Sequence, residues 1–191
     1  MSIPLMIEIV AVAAGLAYVV FLMKENIWCW LFGIVSSALS IWLFFSAKLY
    51  AELVLYVYYV AMGFYGWYHW SQYEKEDNSL AISELSIKST VLTILIGIVG
   101  SLSLSFLFQK FTDAARPLID SFTTIFAFLA TYLQTQKVLS NWLYWIGING
   151  LSIWLYYDRG LFVYAGLMFV YFVLSILGFK DWYKKFKGVS N

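Results

Sequence analysis

Trp142, Trp145 and Asn149 are spaced i, i+3 and i+7, which places them along one face of an α-helix. Two indole faces with a carboxamide one turn deeper suit a flat ring. The indoles would stack on it, more strongly if the ring is cationic, and the amide would hydrogen-bond its edge. The same spacing suits an interfacial anchor at Trp142 and a helix–helix hydrogen bond at Asn149. Glu8 and Asp120 each lie a few residues inside an apolar run. A carboxylate there could balance a cationic ligand or, when protonated, donate a hydrogen bond. Asp120 follows Pro117 by three residues, where a carboxylate also answers the positive end of a helix dipole. Glu52 is similarly close to a helix start. Thr123, Thr124 and Gln134, with Ser36, Ser37 and Ser40, complete the polar groups inside apolar runs. They are candidates for lining a site, and each hydroxyl can instead bond back to its own helix. His69, beside Trp70, reads as interfacial. One cysteine, Cys29, and one histidine leave no disulfide, metal cluster or nucleophile–base pair to expect, so neither a cofactor nor an enzyme is predicted.

The elements that carry these residues follow from composition. Of 191 residues, 62% are hydrophobic and 12% charged, about half the roughly 25% charge of a soluble domain. Charges gather in short clusters, and the apolar runs between them approach the roughly 20 residues needed to cross a bilayer. The spacing predicts seven spans, at about 3–23, 27–45, 49–70, 90–108, 117–135, 142–157 and 161–179. The first lacks the basic start and cleavage site of a signal peptide and reads as a retained span. Short connections such as Lys24-Glu25-Asn26, Ser46-Ala47-Lys48 and Asp158-Arg159-Gly160 make neighbouring spans antiparallel. The hydrophilic stretch 71–89 reads as a linker between two halves. Seven spans put the termini on opposite sides of the membrane. Lys48, Lys110, Arg116 and Arg159 fall on one side and the eight other basic residues on the second. The richer side marks the cytoplasm, which places the N-terminus outside and the C-terminus inside. A net charge of +1 predicts no nucleic-acid partner; the partners to expect are the lipid bilayer and a small molecule.

A shift of 112 residues aligns the first three spans with the last three without a gap. Leu39-Ser40-Ile41-Trp42-Leu43 recurs as Leu151-Ser152-Ile153-Trp154-Leu155, Trp30 meets Trp142, and Gly66 and Trp70 meet Gly178 and Trp182. Glu8 falls opposite Asp120, an acid for an acid. Three spans are an odd number, so two copies face the same way only if a single span separates them. The fold class expected is therefore an all-α polytopic membrane protein in a 3+1+3 arrangement with parallel repeats, as in SWEET sugar carriers. Its divisions are 1–70 for the first repeat, 71–116 for the loop and linker helix, 117–182 for the second repeat and 183–191 for a basic tail. Pseudo-symmetry of this kind favours a small-molecule carrier with a midplane site. A membrane enzyme would need clustered acid–base groups; a sensor or assembly protein is the remaining alternative.

The residues quoted so far resemble the nicotinamide riboside transporter (PnuC) family. The resemblance is carried by Leu49-Tyr50-Ala51-Glu52, Tyr65-Gly66-Trp67-Tyr68-His69-Trp70 and Pro117-Leu118-Ile119-Asp120-Ser121. Lys137 before Asn141-Trp142-Leu143-Tyr144-Trp145, with Asn149 completing W-x-x-W-x-x-x-N, and a final Gly178-x-x-x-Trp182 before a basic tail add to it. It covers essentially the whole chain. The resemblance implies a homotrimeric carrier of the bacterial inner membrane that works by facilitated diffusion, with the vitamin trapped inside by phosphorylation. It also implies that Trp142, Trp145 and Asn149 belong to the substrate site. The chain is short for the family and lacks an added N-terminal segment of longer members. Relatives in the superfamily carry thiamine, riboflavin or deoxynucleosides. Thiamine, which shares a flat cationic ring with nicotinamide riboside, is therefore the alternative substrate.

Overall fold

The computed structural model describes residues 3–46, 50–75, 80–111 and 116–189. Ala47, Lys48 and Leu49, the Tyr50, Ala51 and Glu52 side chains, Glu76 and Asp77 of the linker, and the last two residues of the tail lie outside what it describes. The described chain forms seven helices: α1 Ile3–Met23, α2 Trp28–Ser46, α3 Tyr50–Lys75, α4 Ile87–Phe111, α5 Pro117–Thr135, α6 Asn141–Asp158 and α7 Phe162–Val189. The protein is an all-α membrane protein. Four of its helices, α1, α2, α4 and α7, are individually long and apolar enough to cross a bilayer. The segments α5 and α6 are less apolar because packing lets them carry polar groups: Ser121, Thr131, Gln134, Asn149 and Ser152 are all buried. On α4, by contrast, Val91, Leu95, Val99, Leu102 and Phe106 are exposed, the pattern of a helix solvated by lipid.

The predicted ends hold for α1 and α5 and move elsewhere. Helix α3 runs five residues past Trp70, and α7 continues as far as Val189, into the residues read as a tail. Hydropathy marks where a helix leaves the membrane, not where it stops. Lys180 to Lys187 include good helix formers, with no proline or glycine to end the helix before Gly188. The α6–α7 turn ends on Gly160, whose φ of 72° favours glycine.

Contacts divide the chain into two compact units. The first holds Met1–Ile82, Thr135–Lys137 and Lys180–Asn191; the second holds Ser83–Gln134 and Val138–Phe179. In the first unit, Trp30 of α2 is 1% exposed and its ring lies against Gly66 of α3, so close that a Cβ there would sit 2.5 Å from it. Trp30 also meets Trp70 edge-on at 5.3 Å, and Ser36 of α2 donates to the Ala11 carbonyl of α1 at 2.8 Å. In the second unit, Trp142 of α6 is likewise 1% exposed and lies against Gly178 of α7, where a Cβ would again sit 2.5 Å from the ring. Both members of the second pair stand 112 residues after those of the first, so the packing repeats with the sequence. Gly97 takes the Phe126 ring between α4 and α5 in the same manner. Lipid tails are as apolar as leucine, so such helices hold together by close packing at small residues rather than by exclusion of water.

Candidate substrate site

Helix α6 brings Trp142, Trp145 and Asn149 to one face as their spacing requires, yet the three meet different surroundings. Trp142 is enclosed by the Gly178 contact. Trp145 is only partly buried. Its indole N–H donates to Gln134 Oε1 on α5 at 2.9 Å, and Gln134 is 0% exposed. A buried carboxamide therefore fixes the orientation of an indole that keeps part of its surface open. Asn149, 6% exposed, donates from Nδ2 to Ser175 Oγ of α7 at 3.2 Å, and Ser175 donates in turn to the Tyr171 carbonyl at 2.8 Å. This is the helix–helix hydrogen bond that the spacing also allowed. Thus Trp145 and Gln134 form one cluster, Asn149 and Ser175 a second, and Trp142 and Gly178 a third, all within the second unit.

The other sequence candidates fall outside these clusters. Asp120 lies in the first turn of α5, and its carboxylate pairs with Arg159 at 3.2 Å. Arg116, just before α5, pairs with Asp158 at the end of α6 and covers the Trp154 ring at 4.9 Å. Two crossed ion pairs thereby fasten the start of α5 to the α6–α7 turn. Thr123 and Thr124 donate to the Asp120 carbonyl, and Ser40 donates to the Ser36 carbonyl. Ser37 is buried on α2, and Glu8 is exposed on α1, both in the first unit. His69 stacks on Tyr65 at 5.6 Å and meets Tyr73 edge-on.

Sequence reading missed Ser175, Gly178 and Arg159 as partners. Ser175 had a signal, since it is the only serine of α7. Gly178 had a better one, because the repeat aligns Trp30 with Trp142 and Gly66 with Gly178. No periodicity points to Arg159, which meets Asp120 through a turn.

If Gln134 acts by holding Trp145, replacing both should cost little more than replacing one. We expect Gln134→Leu to lower substrate affinity while the helical circular dichroism is unchanged. In a double-mutant cycle with Trp145→Ala, the two losses should fall short of additivity by about 0.5–3 kcal/mol. Ligand titration of the purified protein measures both; additive losses would mean that Gln134 does not work through the indole.

Comparison with known proteins places this chain among transporters. The chain is 26% identical to a nicotinamide riboside transporter, PnuC, of Escherichia coli K12, over 92% of this chain and 84% of that protein. It is 27% identical to the PnuC of Neisseria mucosa, over 95% of this chain and 73% of that one. The crystal structure of a vitamin B3 transporter PnuC superposes with a TM-score of 0.75 at 27% identity, covering 95% of this chain and 82% of the other. The model of the nicotinamide mononucleotide transporter family matches residues 5–184, which is nearly the whole of the seven-helix body, and the chain belongs to that family.

Proposed function

We propose that the protein carries nicotinamide riboside across the bacterial inner membrane by facilitated diffusion. The observation that carries this reading is the Trp145 indole, partly open and pinned through its N–H to buried Gln134. A pre-oriented indole can receive a flat pyridinium ring without first losing side-chain freedom, and its face attracts positive charge. Two relatives named for nicotinamide riboside match nearly the whole chain, which supports this substrate over thiamine. Asn149 is the group placed to read the ring's edge, by exchanging its Ser175 bond for one to ligand. Trp142 shapes this part of α6 from behind, through Gly178. Of the remaining sequence candidates, Asp120, Glu8, Thr124 and Ser37, the acids belong to the proposed outer ends of α5 and α1. There Glu8 would act on a cationic substrate before it reaches the indole, and Asp120 would do so only on releasing Arg159.

The architecture proposed with this function is 3+1+3, with parallel repeats at 1–70 and 117–182 separated by the loop and α4, a basic tail at 183–191 and homotrimeric assembly. The repeated Trp–Gly packing supports two copies of one three-helix unit. The charge count supports an outer N-terminus and a cytoplasmic C-terminus.

In proteoliposomes loaded with unlabelled nicotinamide riboside, labelled nicotinamide riboside is expected to accumulate by counterflow with no ion gradient imposed. Excess thiamine should compete weakly or not at all. Counterflow that vanished whenever a proton or sodium gradient was collapsed would end the uniport reading. Counterflow with thiamine but not with nicotinamide riboside would transfer the same site to the alternative substrate.

A further inference from the structure

We infer that Glu25, Lys137 and Lys185 form an ionic latch beside the ends of α1 and α5, and that the latch must open during each transport cycle. The cycle itself rests on the function proposed above; the latch rests on geometry. Glu25 and Lys137 each stand two residues past the end of a helix, Met23 for α1 and Thr135 for α5, and they are 112 residues apart. They occupy the same position of the repeat and carry opposite charges.

Both backbones are left-handed, with φ of 56° at Glu25 and 49° at Lys137, and among the described residues no other non-glycine has a positive φ. The chain closes each helix in the same way: Asn26 N–H donates to the Phe21 carbonyl and Val138 N–H to the Leu133 carbonyl, both at 3.0 Å. A helix that ends like this ordinarily uses glycine, because a Cβ in this conformation crowds the carbonyl that follows. The backbone thus favours glycine at two equivalent positions, and both hold a long charged side chain instead.

Those side chains meet. Lys137 Nζ lies 3.1 Å from Glu25 Oε2, and Lys185 Nζ lies 2.7 Å from Oε1. Lys137 is 6% exposed, and its ammonium stands 4.5 Å over the Trp70 ring. Burial alone would raise the Glu25 pKa, but the hydrogen bonds and charges of Lys185 and Lys137 outweigh it and hold the carboxyl below its ordinary value. Two further contacts repeat at the same interval: the Trp70 indole donates to the Thr135 carbonyl, and the Trp182 indole donates to that of Met23.

A buried ammonium that loses its carboxylate is strongly disfavoured unless water reaches it. The cluster therefore has two stable conditions, closed and dry or open and hydrated, and not a continuum between them. A carrier has to open each end in turn, and this is the kind of element that can switch. Lys137 also follows Gln134 by three residues, in the connection between α5 and α6.

The chain's one cysteine reports on the latch without any substrate. Cys29 lies in the first turn of α2, four residues after Glu25, and is 0% exposed. Its reaction with a water-soluble maleimide should be slow in the unsubstituted protein. In Glu25→Gln and Lys137→Gln it should be roughly 5- to 150-fold faster, the usual range for a coupling of this kind. Glu25→Gly and Lys137→Gly separate a latch from a helix cap. If the residues only end helices, glycine relieves the backbone and labelling stays slow; if they are a latch, labelling accelerates despite that relief. Reversing all three charges in Glu25→Lys/Lys137→Glu/Lys185→Glu should restore slow labelling. Slow labelling in the single variants, or fast labelling in the charge-reversed protein, overturns the proposal. If the variants at the buried lysine do not fold, as judged by thermal melting, Lys185→Gln at the exposed end carries the same test with a smaller acceleration. Variants with fast labelling should also show altered turnover in counterflow with nearly unchanged affinity; unchanged turnover would leave the latch outside the cycle.

Discussion

Trp145→Ala is expected to weaken nicotinamide riboside binding by about 5- to 150-fold while the protein remains folded, whereas Trp142→Ala is expected to lose the fold. The first range corresponds to the roughly 1–3 kcal/mol that a ring-stacking aromatic contributes in other proteins. Trp145 is partly open and its N–H is held by Gln134, so removing it takes away a ligand surface and leaves α5 and α6 otherwise in place. Trp142 is 1% exposed and fills the space over Gly178. Truncating a buried tryptophan to alanine costs about 3–5 kcal/mol, a large part of any domain's stability. A ligand titration and a thermal melt on each variant separate the two outcomes. Equal affinity loss with equal melting temperatures would return Trp142 to the role that the motif alone gives it.

The second large effect is expected where glycine lets an indole touch a helix backbone. Gly66→Ala and Gly178→Ala each place a Cβ about 2.5 Å from a tryptophan ring, closer than atoms can remain. The rings of Trp30 and Trp142 are fully enclosed and have nowhere to swing. The helices must therefore separate, at a cost of about 1–3 kcal/mol for one added methyl in a filled core. Gly166→Ala, where a Cβ meets nothing within 4 Å, is the control and should hold the melting temperature or raise it, since alanine favours a helix over glycine. Because the strain comes from ring size, Trp142→Phe should partly rescue Gly178→Ala, and Trp30→Phe should do the same for Gly66→Ala. A melting temperature that did not respond to either glycine substitution would remove these contacts from the forces holding the fold.

These expectations show what could be read from the sequence and what could not. Helices α1 and α5 end where the apolar runs end, since the left-handed residues that close them, Glu25 and Lys137, are themselves among the charges that bound the runs. Helix α7 does not, because its continuation past Phe179 is decided by helix propensity in water, to which hydropathy is blind. The repeat was legible from Trp30, Gly66, Trp142 and Gly178, because large and small partners recur together. Whether those residues touch was not legible, since a shared offset says nothing about distance. The site shows the same limit more sharply. Helical spacing puts Trp142 and Trp145 on one face, but a face is wide enough for one residue to meet a neighbouring backbone and the next a side chain. Gln134 was visible as a polar residue in an apolar run. Its role depended on a hydrogen bond to the indole eleven residues later, which no periodicity encodes. Asp120 was read both as a ligand group and as a helix-start carboxylate, and the Arg159 pair that occupies it joins residues brought together only by the turn.

Helix α4 has a consequence for the membrane that the protein can work in. Its hydroxyls at Thr93, Ser101 and Ser103 are satisfied by carbonyls of its own backbone, so this wall makes few directional demands on whatever surrounds it. Lys88 and Lys110 stand near its two ends, and the intervening rise of about 1.5 Å per residue separates them by roughly 33 Å. That is slightly more than the roughly 30 Å of hydrocarbon in a typical bilayer. The two ammonium groups then act as floats at opposite headgroup layers, and a thinner membrane obliges α4 to lean until both are wetted. Acyl-chain length thereby becomes a setting on the tilt of the helix between the two proposed repeats.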